Sequence, residues 1–269
     1  MNKKKVVIIT GASSGIGLAC AKEFSRKGYK VAMAARSLDK LAIIEQEIKS
    51  YNRDILSVKA DISIEEDCKM LIEETVRHFG GLDVLINNAG ISMRALFKDL
   101  ELKVLHSLMN TNFWGAVYCT KYALPYILER QGSVIGISSI AGFMGLPGRT
   151  GYSASKYALH GFLDTLRIEH LKDGLHVMIV APGFTSSNIR KTALGVNGSM
   201  QGESPRDENK MMTPERVAFH IYKGMVKRKR QIILSDKGKI ALILKQFFPK
   251  FIDYCEYLEM KKEPNSPLQ

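Results

Sequence analysis

Tyr152 and Lys156 stand four residues apart in Tyr152-Ser-Ala-Ser-Lys156, a spacing that puts both side chains on one face of a helix. An ammonium beside a phenol stabilises the phenolate and draws the tyrosine pKa, ordinarily about 10, toward the working pH. A tyrosine so placed can donate a proton to a ketone oxygen or take one from an alcohol. Ser139 closes an apolar run thirteen residues before Tyr152. Its hydroxyl is suited to hydrogen-bond the same oxygen as negative charge develops there. Taken alone, a tyrosine and a lysine at this spacing are common on exposed helix faces, so the pair gains its weight from the rest of the chain.

Carbonyl and alcohol interconversion needs a hydride carrier, and the N-terminal stretch has the residues to hold one. A β-branched run at 6–9 leads into Thr10-Gly-Ala-Ser-Ser-Gly-Ile-Gly17. A dinucleotide pyrophosphate needs backbone N–H groups and the positive end of a helix dipole at close range, which demands small residues at the turn. Gly11, Gly15 and Gly17 give that room around Ile16, and Ser13 and Ser14 add hydroxyl donors. At the end of the second strand a carboxylate would select a free ribose 2'-OH and repel a 2'-phosphate. The chain has Ala34-Ala35-Arg36-Ser37 there, with no acid, and Arg36 offers a bidentate phosphate grip. The expected cofactor is therefore NADP(H) over NAD(H); the alternative is that Arg36 is only a solvated charge.

Further strings stand in order along the chain: Asn87-Asn-Ala-Gly90, Asn112 in Thr-Asn-Phe-Trp-Gly, Ser138-Ser139 and the tyrosine–lysine pair. With the glycine loop they resemble the short-chain dehydrogenase/reductase family over nearly the whole chain. The resemblance implies a catalytic set of Asn112, Ser139, Tyr152 and Lys156, with Asn112 sustaining a water chain that refills the lysine. It implies that Tyr152 and Lys156 also approach the nicotinamide ribose, and that Asp61 and Ile62 meet the adenine. Asn88, Ala89 and Gly90 would line the cofactor, and Pro182-Gly183 would begin the loop that receives the carboxamide. Thr185 stands where the family usually has an aliphatic residue and Ser187 where it has a threonine, yet a backbone N–H and a hydroxyl remain. The family commonly forms dimers or tetramers, so a homodimer or homotetramer is expected. Phe162-Leu-Asp-Thr-Leu-Arg167 and the stretch 188–234 look most similar to a branch around the "dehydrogenase/reductase member 7B" proteins.

The elements that must position these residues follow a steady rhythm. Apolar runs at 6–9, 30–34, 55–60, 84–87, 133–138, 176–181 and 231–234 alternate with amphipathic stretches. Repeated βαβ units predict a single α/β domain over 1–269, a Rossmann-type doubly wound parallel sheet. Periodicity fades over 184–212, which is expected to be a substrate lid. Thr213-Pro214-Glu215 then predicts a helix start. The final segment 239–262 mixes Ile240, Leu242, Ile243, Leu244, Phe247, Phe248, Phe251 and Ile252 with lysines around Pro249. It is too interrupted to span a bilayer; packing on the body or on a second subunit is expected, with an interfacial segment, which its composition also fits, as the alternative.

Bulk properties narrow the class. The four cysteines lack CxxC pairing, and the six histidines lack ligand spacing, so neither a disulfide framework nor a metal site is expected. Met1 to Thr10 holds too short an apolar run for an export signal, which favours a cytoplasmic location, with peripheral membrane contact through the final segment. A net charge of +12 and the cluster Lys227-Arg-Lys-Arg230 come without base-stacking aromatics, so no nucleic-acid partner is expected. Met93, Phe97, Phe143, Met144, Leu146, Phe184 and Leu194 predict an apolar substrate pocket with few polar handles. The expected reaction is reduction of a small-molecule carbonyl, such as that of the long-chain keto-lipid 3-ketosphinganine, or its reverse. A 3-oxoacyl thioester or an acyl-dihydroxyacetone phosphate is the alternative substrate. A non-catalytic NADP(H)-binding regulator is the rival of a different class, against which the complete set around Tyr152 argues.

Overall fold

The computed structural model describes residues 4–268, so residues 1–3 and 269 of the expected domain, with the first part of the Met1 to Thr10 stretch, lie outside the described residues. Seven strands, β1 (Val6–Thr10), β2 (Lys30–Ala35), β3 (Ile55–Lys59), β4 (Val84–Asn87), β5 (Ser133–Ile137), β6 (His176–Ala181) and β7 (Gln231–Ile233), form one sheet in the order β3-β2-β1-β4-β5-β6-β7. Every pairing is parallel. β1, β5 and β6 are buried at every position. This is why they read as continuous apolar runs rather than alternating ones. The α/β doubly wound sheet expected from the sequence is the fold observed.

Helices cover both faces. On one, α1 (Gly15–Arg26), α2 (Leu38–Lys49) and α7 (Pro214–Val226) bury Phe24, Leu41, Ile48 and Ile221 against the sheet. On the other, α3 (Glu65–Phe79), α5 (Gly115–Glu129) and α6 (Thr150–Glu169) bury Leu71, Ile72, Ile127, Leu159 and Leu163. α4 (Leu102–Met109) precedes α5, and a third apolar cluster of Met93, Ala95, Val104 and Leu108 lies beneath it. The predicted start of α7 is met: the Thr213 side chain accepts from Arg216 N and Pro214 opens the helix.

Strand order places the site. The chain runs outward from β1 to β3 and then returns beside β1 as β4. The connections after β1 and β4 therefore leave the sheet in opposite directions, and a crevice opens at the carboxyl ends between them. Thr10 ties the two edges of that crevice. Its hydroxyl accepts from Asn88 N at 3.0 Å and Ala89 N at 3.1 Å, and donates to Ile86 O at 3.3 Å. Asn88 answers by donating from Nδ2 to Thr10 O at 2.8 Å.

The two segments with faded or mixed periodicity are both ordered. Within 184–212, Thr185 pairs with Met212 and Leu194 bridges to Met93 and to Met200, with a single helical turn at Glu208–Lys210. The final segment expected over 239–262 is two helices, α8 (Asp236–Phe247) and α9 (Pro249–Lys261), parted where Pro249 cannot continue a helix. α8 begins against the turn that follows β5, where bare Gly238 lets the chain approach: a Cβ there would lie 2.6 Å from Ile140 Cδ1.

Replacing Thr10 by Val keeps its shape and removes the shared hydroxyl, leaving the Asn88 and Ala89 N–H groups without their acceptor. We expect the variant to lose about 1–3 kcal/mol of stability in urea unfolding.

Candidate active site

A cleft of about 1230 Å³ crosses the carboxyl ends of the strands. Its first half is bounded by Gly11, Ser13, Ser14, Gly15 and Ile16 at the head of α1. Gly11 (φ 65°) and Gly15 (φ 54°) sit in the left-handed region that side chains disfavour. A Cβ on Gly17 would lie 2.3 Å from Gly11 O, so the turn closes only on bare backbone. Ser14 caps α1 without engaging its side chain. A concave, side-chain-free turn at a helix N-terminus fits a pyrophosphate.

At the end of β2 the lining is Ala35, Arg36, Ser37 and Lys40, with no carboxylate. Arg36 is exposed and makes no ion pair among the described residues. Sequence reasoning passed over Lys40. Ser37, the residue after Arg36, caps α2 by accepting from Lys40 N, which sets Lys40 on the first turn beside it. Asp61, Ile62, Ala89 and Gly90 continue the lining. The Asp61 carboxylate is already engaged, accepting from Ser63 N at 3.0 Å and Ser63 Oγ at 2.7 Å. Asn88 lines the cleft too, but its amide holds the glycine loop.

The reacting half gathers Ser139, Tyr152 and Lys156. Ser139 stands two residues beyond β5, accepts from Ala141 N and lies beside the Tyr152 phenol. Lys156 lies one helical turn beyond Tyr152, its Nζ donating to Ile137 O at 2.9 Å and standing 5.8 Å from the Tyr152 ring centroid. Burial alone holds its ammonium down at about 8. Burial pushes the Tyr152 phenol up from its ordinary value, against the lowering pulls of the Ser139 hydrogen bond and the Arg149 and Arg190 charges. The charges that lower the phenol are those of Arg149 and Arg190, with Lys156 not among them, and desolvation outweighs their pull.

Asn112 is buried in a widened turn, Asn110–Trp114, between α4 and α5. Its Oδ1 accepts from Ile91 N at 2.8 Å, and its Nδ2 donates to Ile91 O at 2.9 Å and Ser155 Oγ at 2.9 Å. This side chain fixes the strand exit behind Gly90, where a Cβ would lie 3.1 Å from Asn112 Oδ1 and 3.5 Å from Lys156 Nζ.

Pro182, Gly183, Thr185 and Ser187 form the far wall. The Thr185 hydroxyl donates to Gly183 O at 3.1 Å, and Ser187 N donates to Glu208 Oε2 at 3.1 Å. Arg190 grips Glu208 through Nε at 2.7 Å and Nη2 at 2.6 Å, and its hydrogen bonds hold the Glu208 carboxyl down at about 2.

The substrate side departs from the sequence expectation. Met144, Leu146, Phe184 and Leu194 line the cleft, whereas Met93, Phe97 and Phe143 do not. Met93 is fully buried under α4, Phe97 is mostly exposed, and Phe143 packs edge-on against His160. Nor are polar handles few: Arg149, Arg190, Arg206, Glu259 and Glu263 all reach the cleft. Ala241, Cys255 and Met260 show that α8 and α9 supply part of its wall.

Among the described residues no cluster of metal-ligating side chains occurs, no helix is long and apolar enough to cross a membrane, and all four cysteines are free.

Comparison with known proteins gives the family and the fold. The family model for short chain dehydrogenase matches residues 5–195. An Arabidopsis thaliana protein, 11-beta-hydroxysteroid dehydrogenase-like 2, is 36% identical over 252 residues, which is 93% of this chain and 80% of that one. A dehydrogenase/reductase SDR family protein 7-like from Dictyostelium discoideum is 34% identical, covering 95% of this chain and 81% of its own. Among solved structures, an alcohol dehydrogenase from the archaeon Thermococcus sibiricus, complexed with 5-hydroxy-NADP, superposes with a TM-score of 0.76 at 25% identity, covering 86% of this chain and 96% of that one.

The burial of Lys156 generates a direct test. Its side-chain resonance should titrate with a midpoint of about 8, far below the ordinary lysine value of 10.5, when followed by NMR on lysine-labelled protein with Lys156→Met as the assignment control. An ordinary midpoint would mean that the ammonium is solvated.

Proposed function

This chain belongs to the short chain dehydrogenase family, and from that premise we propose that it is an NADP(H)-linked oxidoreductase reducing the carbonyl of a long-chain keto-lipid such as 3-ketosphinganine. The observation that carries the reaction class is the half-buried Tyr152 phenol beside Ser139, opening on the cleft with Lys156 one turn behind. Bound nicotinamide supplies the hydride or accepts it. Tyr152 delivers the proton to the carbonyl oxygen, and Ser139 holds that oxygen as charge grows on it. Lys156, with an ammonium poised at about 8, restores the Tyr152 proton through water near Asn112.

The choice of NADP(H) rests on the end of β2, where Arg36 and Lys40 meet the cleft and no acid stands to repel a 2'-phosphate. Gly11, Ser13, Ser14, Gly15, Ile16 and Gly17 receive the pyrophosphate. Asp61 and Ile62 take the adenine side; Ala89 and Gly90 line the middle; Pro182, Gly183, Thr185 and Ser187 receive the carboxamide.

Three features support an apolar substrate. Met144, Leu146, Phe184, Leu194 and Met260 line the reacting end. The arginines there already hold carboxylates of the chain, Arg190 with Glu208 and Arg149 and Arg206 with Glu263. Ile240, Ile243, Phe247 and Phe251 of α8 and α9 are more than half exposed beside the cleft wall that the same helices form, with Lys245 and Lys250 among them. Such a face suits transfer of substrate from a lipid surface. The protein then acts in the cytoplasm with peripheral membrane contact, as a homodimer or homotetramer. An oxosteroid is the second reading, favoured by the name of the Arabidopsis relative.

NADPH oxidation with 3-ketosphinganine in mild detergent, run beside an 11-oxosteroid, a 3-oxoacyl thioester and an acyl-dihydroxyacetone phosphate, tests the substrate. We expect turnover with the sphingoid ketone and NADPH, with little using NADH; turnover of another class alone rejects it. Arg36→Asp should lose NADPH preference by roughly 10²-fold, equivalent to about 3 kcal/mol of charge-assisted contact. Unchanged preference removes Arg36 from the account.

A further inference from the structure

The substrate side of the cleft is built from three loops joined by a few backbone hydrogen bonds, Arg94 N to Leu194 O at 2.8 Å, Leu194 N to Ser92 O at 2.9 Å and Ala95 N to Gly148 O at 3.0 Å. The loops are 92–97 after β4, 142–149 before α6, and 184–212 after β6. One arginine from each, Arg94, Arg149 and Arg206, converges on a single carboxylate just past α9. Glu263 accepts from Arg206 Nε at 2.8 Å and Arg149 Nη2 at 3.4 Å, and stands 3.4 Å from Arg94 Nη2. Its side chain is only 4% exposed. The turn that carries it is held at two further points: Arg94 Nη2 also donates to Pro264 O at 2.6 Å, and, apart from the arginines, Ser266 Oγ donates to Met260 O at 2.8 Å. Pro267 lies over Gly148 (φ 69°), its Cγ 3.1 Å from where a Cβ would stand.

We propose that Glu263 is a positioning residue for carbonyl reduction, a clasp by which the C-terminal turn holds the three substrate loops at their working distance from Tyr152. The claim rests on the oxidoreductase reading only for its effect on turnover. Arg149 is the residue immediately before α6, and its carbonyl accepts from Ser153 N at 2.8 Å, so the clasp bears directly on the helical turn that carries Tyr152. Arg206 extends the hold into the long loop, stacking on Phe184 with its guanidinium carbon 3.9 Å from the ring centroid and meeting Glu259 at 3.4 Å. Three guanidinium groups drawn out of water need a counter-charge. With the carboxylate removed they repel one another, and that repulsion loads the few backbone hydrogen bonds that still join the loops, so these segments open more often. β1 to β7 contribute no residue to the cluster, so its loss opens the cleft and spares the sheet.

The test compares Glu263→Gln and Glu263→Asp with the parent protein by hydrogen exchange and by kinetics. In Glu263→Gln, amide exchange should accelerate in 92–97, 142–149 and 184–212 while β1, β4 and β5 keep their protection. KM for the ketone should rise by roughly tenfold or more with a smaller fall in kcat, because the loops orient substrate rather than react with it. The dissociation constant for NADPH should stay within about twofold, since the cluster lies away from the glycine loop. Glu263→Asp keeps the charge and should recover part of both effects. Unchanged exchange in the three loops overturns the clasp, as does acceleration spread evenly over the sheet, which would mean loss of global stability only. Loop-confined acceleration in a protein that reduces no ketone upholds the clasp and rejects the oxidoreductase reading instead.

Discussion

The arrangement turns on one buried ammonium. Lys156 is 4% exposed, and the partner its Nζ has is an uncharged one, the carbonyl of Ile137. A cation taken out of water without a carboxylate is costly, and the fold tolerates this one because the group can shed its charge near neutral pH. A proton held so loosely is one that can be passed on. The surroundings serve that condition. β5 ends with its last carbonyl bonded to Nζ, bare Gly90 keeps a Cβ from standing 3.5 Å from Nζ, and Asn112 commits both ends of its amide to Ile91 and Ser155. Those contacts require Asn112 to point out of a helix into its neighbour, and the widened turn at Asn110–Trp114 turns it there.

The cofactor half obeys a different constraint, that of backbone approach. Gly11 and Gly17 allow the head of α1 to approach Asn88 and Ala89 just past β4, and Thr10 and Asn88 lock the two together. Because β1 and β4 flank the point where the connections diverge, the loop at the head of α1 and the tyrosine of α6 face the same crevice. On the proposed function, sheet topology thereby brings hydride carrier and proton donor to one carbonyl, with the serine just past β5 between them.

Much of this was legible in the sequence, for physical reasons. Strands buried on both faces must be continuously apolar, so their limits could be read to within a residue or two, as could the Thr213-Pro214 start of α7. The glycine loop and the set around Tyr152 were legible because chemistry fixes residue type and spacing together. Apolar side chains carry no such mark. Met93, Phe97 and Phe143 look as suited to a pocket as Met144 or Leu146, and only packing separates the core residue from the lining one. The charged wall was hidden by distance: Arg94, Arg149, Arg206 and Glu263 are scattered along the chain, and no local pattern announces that they meet. Lys40 could have been found, since a serine cap after Arg36 sets the fourth residue on the same helical turn. The rise in the Tyr152 pKa could not, because burial is a property of the folded surroundings.

The central claim is that Tyr152 supplies the proton that accompanies hydride transfer to a carbonyl. Its most direct test is transfer of deuterium from NADPH labelled at the nicotinamide to the alcohol product, followed by mass spectrometry in the parent protein and in Tyr152→Phe, with NADPH binding measured in both. The account predicts labelled alcohol from the parent and a fall of roughly 10³-fold in the variant, with binding retained. Undiminished deuterium transfer by Tyr152→Phe would contradict it.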